Sequence, residues 1–449
     1  MSKIKEVIKR NGTIVPFNPE RIMNAIYRSA VSVGGRDKET AKLLADKVVI
    51  ELESRVQDGF KPNIEEVQDV VEKVLIENGH ATVAKEYILY REEQRSKRES
   101  NAEQGSRSAE KIPWEKIWHV YDWTVENDLN TFDKINSKID AGNFKEIVKV
   151  SEARYESDVD MAADLILQRS DKLKMVFISG PSSSGKTTTT IKIEQRLKKK
   201  GLSFVTLNVD HYFFDLELHP KDEFGDYDFE TPQALDLRLI NEHLKKLSQG
   251  EEVRIPSYDF KKGLRTLNQT PIKIKENEII LIDSLHGLYP QFSEGINDEY
   301  KFKLYLEPLV QVKDADNKFV QWTDIRLMRR MLRDSVQRAY NPQQTLEHWH
   351  YVRNSELRHI IPYSNNADFI ISSGMPYELS LYKSLLFDKF GEWVKMFKDN
   401  PLKEDAFVRA ERTYNMLKGI RPMEDNSAVP TDSVLREFIG GSEFEYWRI

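Results

Sequence analysis

Four short apolar runs divide the second half of the chain: Met175 to Ile178, Leu202 to Val209, Glu278 to Ile282 and Phe302 to Leu306. Each is too short for a buried helix and rich in β-forming residues, so each predicts a buried strand. Helical spacing returns between them, most clearly from Ile191 to Lys200. Strands alternating with helices predict an α/β fold with a parallel sheet flanked by helices. The first 95 residues read differently. Val7 to Thr13 predicts a strand entering a tight Asn-Gly turn. Asn18-Pro19-Glu20-Arg21 then starts a helix, with Asn18 as cap and Pro19 at the first helical position. Ile22, Ala25, Ile26 and Ala30 repeat at helical spacing, and further helices are expected over Glu39 to Leu52, Ile64 to Asn78 and around Ala81 to Tyr90. Ser96 to Lys111 is polar and without period, which predicts a linker.

Residues 112–172 return to helical patterning, opening with Trp114, Trp118, Tyr121 and Trp123, whose spacing predicts packing contacts. Beyond about residue 390, Glu392 to Lys398 and Glu404 to Leu417 predict helices separated by prolines. The expected organisation is therefore a domain over 1–95, a linker over 96–111, a helical connector over 112–172, an α/β domain over 173–390 and a helical extension over 391–449.

The first apolar run leads directly into Gly180-Pro181-Ser182-Ser183-Ser184-Gly185-Lys186-Thr187-Thr188, which fills G-x-x-x-x-G-K-[ST] without mismatch. Glycines in such a loop let consecutive N–H groups point at phosphate oxygens, and the following helix adds its N-terminal dipole. Lys186 is expected to neutralise the terminal phosphates, and the Thr187 hydroxyl to hold Mg²⁺. Asp210 stands at the carboxyl end of the second run, where ligands of parallel sheets bind, and fits a base that accepts a proton from an attacking hydroxyl. Asp226, Asp228 and Glu230 form an acidic cluster open to three readings: ribose binding, metal support or a solvated loop. Asp283 ends the third run, the arrangement in which a carboxylate supports the Mg²⁺ shell. Arg326, Arg330 and Arg333 share one side of a predicted helix, with Arg329 adjacent and Arg338 further on. So many cations favour anions in their midst, and the expectation is a lid closing on a triphosphate.

Composition narrows the picture. The chain has 449 residues, 39% hydrophobic and 31% charged, which predicts several globular domains with their own cores. No cysteine is present, which excludes disulfides, thiolate zinc sites, iron–sulfur clusters and cysteine nucleophiles. A net charge of −6 argues against nucleic acid as the main partner. Neither a signal-like N-terminus nor a long apolar run appears, so a cytoplasmic protein without a membrane partner is expected.

Two resemblances follow from these residues. Val7-x-Lys9-Arg10-Asn11-Gly12, then Phe17-Asn18-x-Glu20-Arg21-Ile22 and Ala84-x-x-Tyr87-x-x-Tyr90-Arg91, resemble the ATP-cone domain, a nucleotide sensor of ribonucleotide reductases and of the repressor of their genes. The resemblance implies an ATP or dATP effector site lined by Val7, Lys9, Arg10 and Asn11, with self-association into a homo-oligomer. The repressor's cysteine zinc ribbon has no counterpart here. The phosphate loop, Asp210, Pro256-x-Tyr258-Asp259-Phe260, Asp283 and the Arg326–Asp334 helix resemble the uridine kinase and phosphoribulokinase branch of P-loop kinases. Bacterial uridine kinase-like proteins also share the ending Ser433-Val434-Leu435-Arg436-Glu437-Phe438-Ile439-Gly440-Gly441-Ser442. This likeness implies an ATP- and Mg²⁺-dependent kinase acting on a small-molecule hydroxyl, foremost a nucleoside. Asp210 would be the general base, Asp228 or Glu230 would bind the sugar, and Tyr258 and Arg265 would lie near the acceptor. Arg330, Arg333 and Arg338 would contact phosphate. Two departures stand out. Gly263 replaces the base-reading histidine of uridine–cytidine kinases, and Asp283 stands where this family commonly has Glu.

Overall fold

The computed structural model describes residues 4–8, 14–33, 37–54, 61–88, 112–219, 229–275, 278–337, 341–400 and 403–444. Lys9, Arg10, Asn11, the 96–111 linker, Asp226, Asp228 and Arg338 lie outside them. The described residues fall into two compact units, one from the N-terminal residues and a larger one holding nearly all the rest from 112 onward.

In the smaller unit, strands β1 (Glu6–Ile8) and β2 (Ile14–Pro16) pair antiparallel with Val7 opposite Val15. Helices α1 (Pro19–Ser32), α2 (Lys38–Ser54) and α3 (Ile64–Glu77) follow, then a helical stretch at residues 81–88 (α4). Asn18 accepts a bond from the Glu20 amide, as expected of a cap. Asn63 and Glu66 close a reciprocal capping box at the start of α3. Ile22 and Ile26 meet Leu44, Val48, Leu52, Val70, Val71 and Val74 in a core of the unit's own.

The larger unit opens with α5 (Trp114–Glu126), α6 (Phe132–Asp140) and α7 (Phe144–Gln168). Trp123 packs on the core, but Trp114 and Trp118 are 58% and 62% exposed, contrary to expectation. Strands β3 (Met175–Ser179), β4 (Ser203–Asn208), β7 (Glu278–Asp283), β8 (Lys301–Glu307) and β9 (Phe369–Ser372) form one parallel sheet in the order β4-β7-β3-β8-β9. Its two faces follow the strand period of two. Val176, Ile178, Leu281 and Leu304 enter the core beneath α7 and α8 (Lys186–Lys199). Met175, Phe177, Ile280 and Ile282 enter a second core with α9 (Leu237–Ser248) and β5 (Val253–Asp259). β5 pairs with β6 (Leu264–Ile272) as a separate hairpin, bulged between Ile255 and Ser257, which accommodates Pro256 and its missing N–H.

Helices α10 (Trp322–Gln337), α11 (Pro342–His359), α12 (Glu378–Phe397) and α13 (Glu404–Lys418) complete the unit, followed by a short α14 (Arg436–Ile439). Residues of α7, α12, α13 and the C-terminal segment share one core with the sheet. Helix α12 runs through residue 390 without a break. No described helix is long and apolar enough to cross a membrane.

The expected lid helix is α10, and burial contradicts a mobile lid along its first half. Ile325, Leu327, Met328 and Met331 are fully buried, and so are Arg326 and Arg329. Arg326 donates to Glu307 at 2.9 Å and to both oxygens of Glu356. Arg329 bonds Glu378 at 2.8 and 3.0 Å and the Ser373 carbonyl at 2.8 Å. These guanidiniums need no phosphate, because acidic partners from β8, α11 and α12 already surround them. Replacing Arg329 with Ala would strand Glu378 as a buried, uncompensated charge, so Arg329→Ala is expected to lower stability by about 3–5 kcal/mol in chemical denaturation. A loss under about 1 kcal/mol would mean that water reaches Glu378 and that the pair does not hold α10 in place.

Candidate active site

Strand register brings the candidate residues together. Asp283 stands level with Ile178 of β3 and Asn208 of β4. The loop after β3 and the turn after β4 therefore leave the sheet on the same edge as Asp283. That edge opens into a cleft of about 400 Å³ lined by Ser182, Ser183, Lys186, Thr187, Asp210, Glu230, Asp283, Arg330 and Arg333, among others. Five chain segments thus converge at the carboxyl ends of parallel strands, where this architecture binds ligands.

The phosphate loop has the expected shape. Ser183 takes a left-handed φ of 60° and Gly185 one of 91°. Gly185 caps α8, so Lys186 is the first helical residue and Thr187 the second. Lys186 folds back to donate to the carbonyls of Gly180 and Pro181 at 3.0 and 3.2 Å. The hydroxyls of Ser183 and Ser184 are buried with no hydrogen-bond partner among the described residues. Polar atoms left this way at a helix N-terminus fit an anion that supplies the missing acceptors.

Asp283 and Lys186 face each other electrostatically. Burial pushes the Asp283 carboxyl up to about 6, with Lys186 pulling it down and Glu437 and Asp210 pushing it further up. Burial lowers the Lys186 ammonium, while Asp283 and Glu437 draw it back up. No cluster of three or more His, Asp or Glu suited to a metal occurs among the described residues. Mg²⁺ commonly takes one or two protein oxygens and fills its octahedron with phosphate and water. Thr187 and Asp283 are the side chains that would hold it.

Asp210, which lines the same cleft, is exposed in the one-turn element Val209–Tyr212 that follows β4, and its amide bonds Asn208. Glu230 pairs with Arg330 at 3.2 Å, and Arg330 also donates to the Ser182 hydroxyl at 3.1 Å. Arg333 lines the cleft beside Asp334, 3.1 Å away. Two expected residues are placed elsewhere. Arg265 bonds Asp236 at 2.9 Å and covers the Phe214 ring, so it does not reach the cleft. Thr188 turns from the cleft toward Glu437, its hydroxyl 2.8 Å from that carboxylate.

Tyr258 belongs to an aromatic group beside Asp210 that pattern reading did not reveal. Its ring lies 5.7 Å from Phe213 and 4.9 Å from Phe260, with His219 stacked at 6.4 Å. Phe229 closes on His219 at 4.8 Å. These rings come from three separate segments, so no local spacing announces them. Gly263 closes the β5–β6 turn at φ +66°, where a Cβ would stand 2.8 Å from Leu216 Cβ. A side chain there has neither the backbone conformation nor the room.

Parallel sheet, phosphate loop, terminal carboxylate and facing acid define a phosphate-loop kinase. The chain belongs to the phosphoribulokinase / uridine kinase family, whose model matches residues 175–380, and carries an ATP cone domain over residues 5–96. Over 201 residues it is 30% identical to the uridine kinase of Bacillus pumilus, taking in 44% of this chain and 86% of that protein. Over 101 residues, 21% of this chain, it is 48% identical to the vitamin B12-dependent ribonucleoside-diphosphate reductase of Thermoplasma acidophilum, of which it spans 13%. A solved structure of a possible uridine kinase from Bacillus stearothermophilus aligns at 15% identity with a TM-score of 0.31, over 48% of this chain and 98% of that one.

The raised Asp283 carboxyl makes stability depend on pH. Its charged form is disfavoured in the fold, so the cost is absent below pH 3.8 and complete above about 6. A shift of that size corresponds to about 3 kcal/mol. Relative to wild type, Asp283→Asn should therefore become more stable by that order between pH 3.8 and pH 7, measured by urea unfolding with divalent cations chelated. An equal stability difference at both pH values would show that Asp283 ionises without strain.

Proposed function

We propose that this chain is an ATP- and Mg²⁺-dependent kinase that transfers the γ-phosphate to a hydroxyl of a small molecule, in the first instance the 5′-hydroxyl of a nucleoside. The observation that carries the reading is one cleft lined by Lys186, Thr187, Asp283 and Asp210 together. Mg²⁺ bound there would offset charge on the outer phosphates. Lys186, released from the loop carbonyls it now bonds, would meet the transferring phosphate. Asp210 would accept the acceptor's proton, and Arg330 and Arg333 would steady charge on the phosphate. Glu230 or Asp228 would bind a sugar hydroxyl. An ATP-consumption screen over nucleosides and sugar phosphates tests the reading.

The aromatic group around Tyr258 supports an acceptor with a planar ring, consistent with the uridine kinases among the relatives. The turn at Gly263 supports weak discrimination among bases, or a baseless alcohol, because no side chain projects from it. The smaller unit, in this proposal, senses ATP or dATP and regulates the kinase through self-association. In this reading Asp210, Asp283 and the phosphate loop would supply the chemistry from one cleft, so the ATP cone is not needed for it.

Asp210→Asn is expected to lower kcat by about 10²–10⁴ with ATP binding retained, the usual worth of a general base; near-normal turnover would remove Asp210 from the reaction. Among nucleosides, selectivity should stay well below a thousand-fold. A stronger preference for uridine would assign base reading to another group, such as His219, whose Nδ1 is buried without a partner among the described residues. For regulation, Lys9→Ala with Arg10→Ala in the full chain should abolish the response of rate and assembly to dATP, an effect of roughly 5–150-fold in the intact protein. Kinetics and light scattering that ignore millimolar dATP in the wild type would contradict the sensor.

A further inference from the structure

The C-terminal segment is threaded into the core of the larger unit. Val434, Leu435 and Phe438 are fully buried, and the Phe438 ring lies 5.0 Å from the Arg329 guanidinium. Arg436 ties the segment to itself, donating to the carbonyls of Val429 at 2.7 Å and Asn426 at 2.9 Å. Asp432 pairs with Lys192 of α8 at 2.6 Å, and Ser433 donates to Glu152 at 2.6 Å. Val434 sits directly on the phosphate loop: a Cβ at Gly185 would be 2.5 Å from its methyl group.

This seating aims Glu437 at the start of α8. Its carboxylate accepts from the Thr188 hydroxyl at 2.8 Å and from the Thr188 amide at 3.4 Å. Thr188 is the third residue of α8, and Gly185 supplies no side-chain cap. Its N–H therefore belongs to the set that a helix leaves without an internal acceptor and that phosphate loops present to anions. Lys186 and Thr187 line the cleft, whereas Thr188 is absent from its walls. An anion of the chain itself already occupies the third position.

We propose that Glu437 is an internal ligand of the phosphate loop, holding at Thr188 the donors for which the inner phosphate of a bound nucleoside triphosphate competes. The proposal rests on the reading of the cleft as the ATP site. A triphosphate whose outer phosphates lie at Lys186 and Thr187 meets Thr188 with its next one. Two anions cannot share that hydroxyl and amide, so binding requires the Glu437 side chain to swing away. The segment itself stays, because Asp432, Arg436 and three buried apolar side chains anchor it. Glu437 is thereby a residue that sets affinity for the phosphoryl donor.

The test is calorimetric titration of the full chain with ATP, in which Lys186→Ala identifies the loop site by removing it and leaves the ATP cone's own binding in view. Glu437→Gln should tighten the loop site about tenfold, the scale of one screened charge contact, and leave the other site unchanged. Glu437→Asp keeps the charge but withdraws it by one methylene, and should tighten the site by less. It also decides the matter should the Gln variant fail to fold. Loop-site affinity unchanged within about twofold, or weakened, in these variants would overturn the proposal and leave Glu437 as a cap that shapes the loop. Absence of any Lys186-dependent ATP binding in the wild type would remove the ATP-site reading, and this proposal with it.

Discussion

The buried guanidinium of Arg326 is the constraint on which the site depends. It has no exposed surface, and it joins the end of β8 through Glu307, α11 through Glu356 and the phosphate loop through the Ser182 carbonyl. A cation buried this completely is tolerable only with matched acids and satisfied hydrogen bonds, so its partners cannot move apart separately. Arg329 repeats the device one turn's edge away, clamping Glu378 and the Ser373 carbonyl. The loop that must cradle phosphate is thus fixed from below before any ligand arrives, which is the preorganisation that electrostatic catalysis requires. Arg330 and Arg333, on the same helix, face the cleft because the buried pair fixes the helix's rotation.

Above that floor the charges are less settled. Burial raises the Asp283 carboxyl to about 6 despite the pull of Lys186, with Glu437 and Asp210 adding to the rise as like charges. Lys186 spends its hydrogen bonds on loop carbonyls. Two buried serine hydroxyls in the loop have no partner among the described residues. A divalent cation and a polyphosphate would relieve each of these tensions at once, and such local conflicts are where functional sites are expected in a chain otherwise consistent with its fold.

Much of this was legible in the sequence because the relevant signals are local. Met175 to Ile178 and Glu278 to Ile282 are apolar runs that become central strands, and the loop motif carries its own geometry. The start of α8 was not legible. Thr188, Thr189 and Thr190 show no apolar period, and threonine is a poor helix former whose hydroxyls, here bonding carbonyls four residues back at Thr189 and Thr190, compete with the helix. Strand β6 is hidden because nearly all of it is exposed, leaving no buried face to create alternation. Arg326 and Arg329 read as a basic face because their acids lie on other elements. Nothing local marks Glu437 either, beyond its place among Leu435, Phe438 and Ile439, since its role depends on a contact spanning 249 residues.

In the proposed reading, the phosphate loop, Asp283 and Asp210 act together in the one cleft that they line. The most direct measurement is ³¹P NMR of the full chain with Mg²⁺, ATP and a panel of nucleosides and small alcohols. The account predicts a new phosphomonoester signal that requires both the acceptor and Asp210. Release of inorganic phosphate alone, at a rate indifferent to every acceptor and to Asp210→Asn, would contradict it.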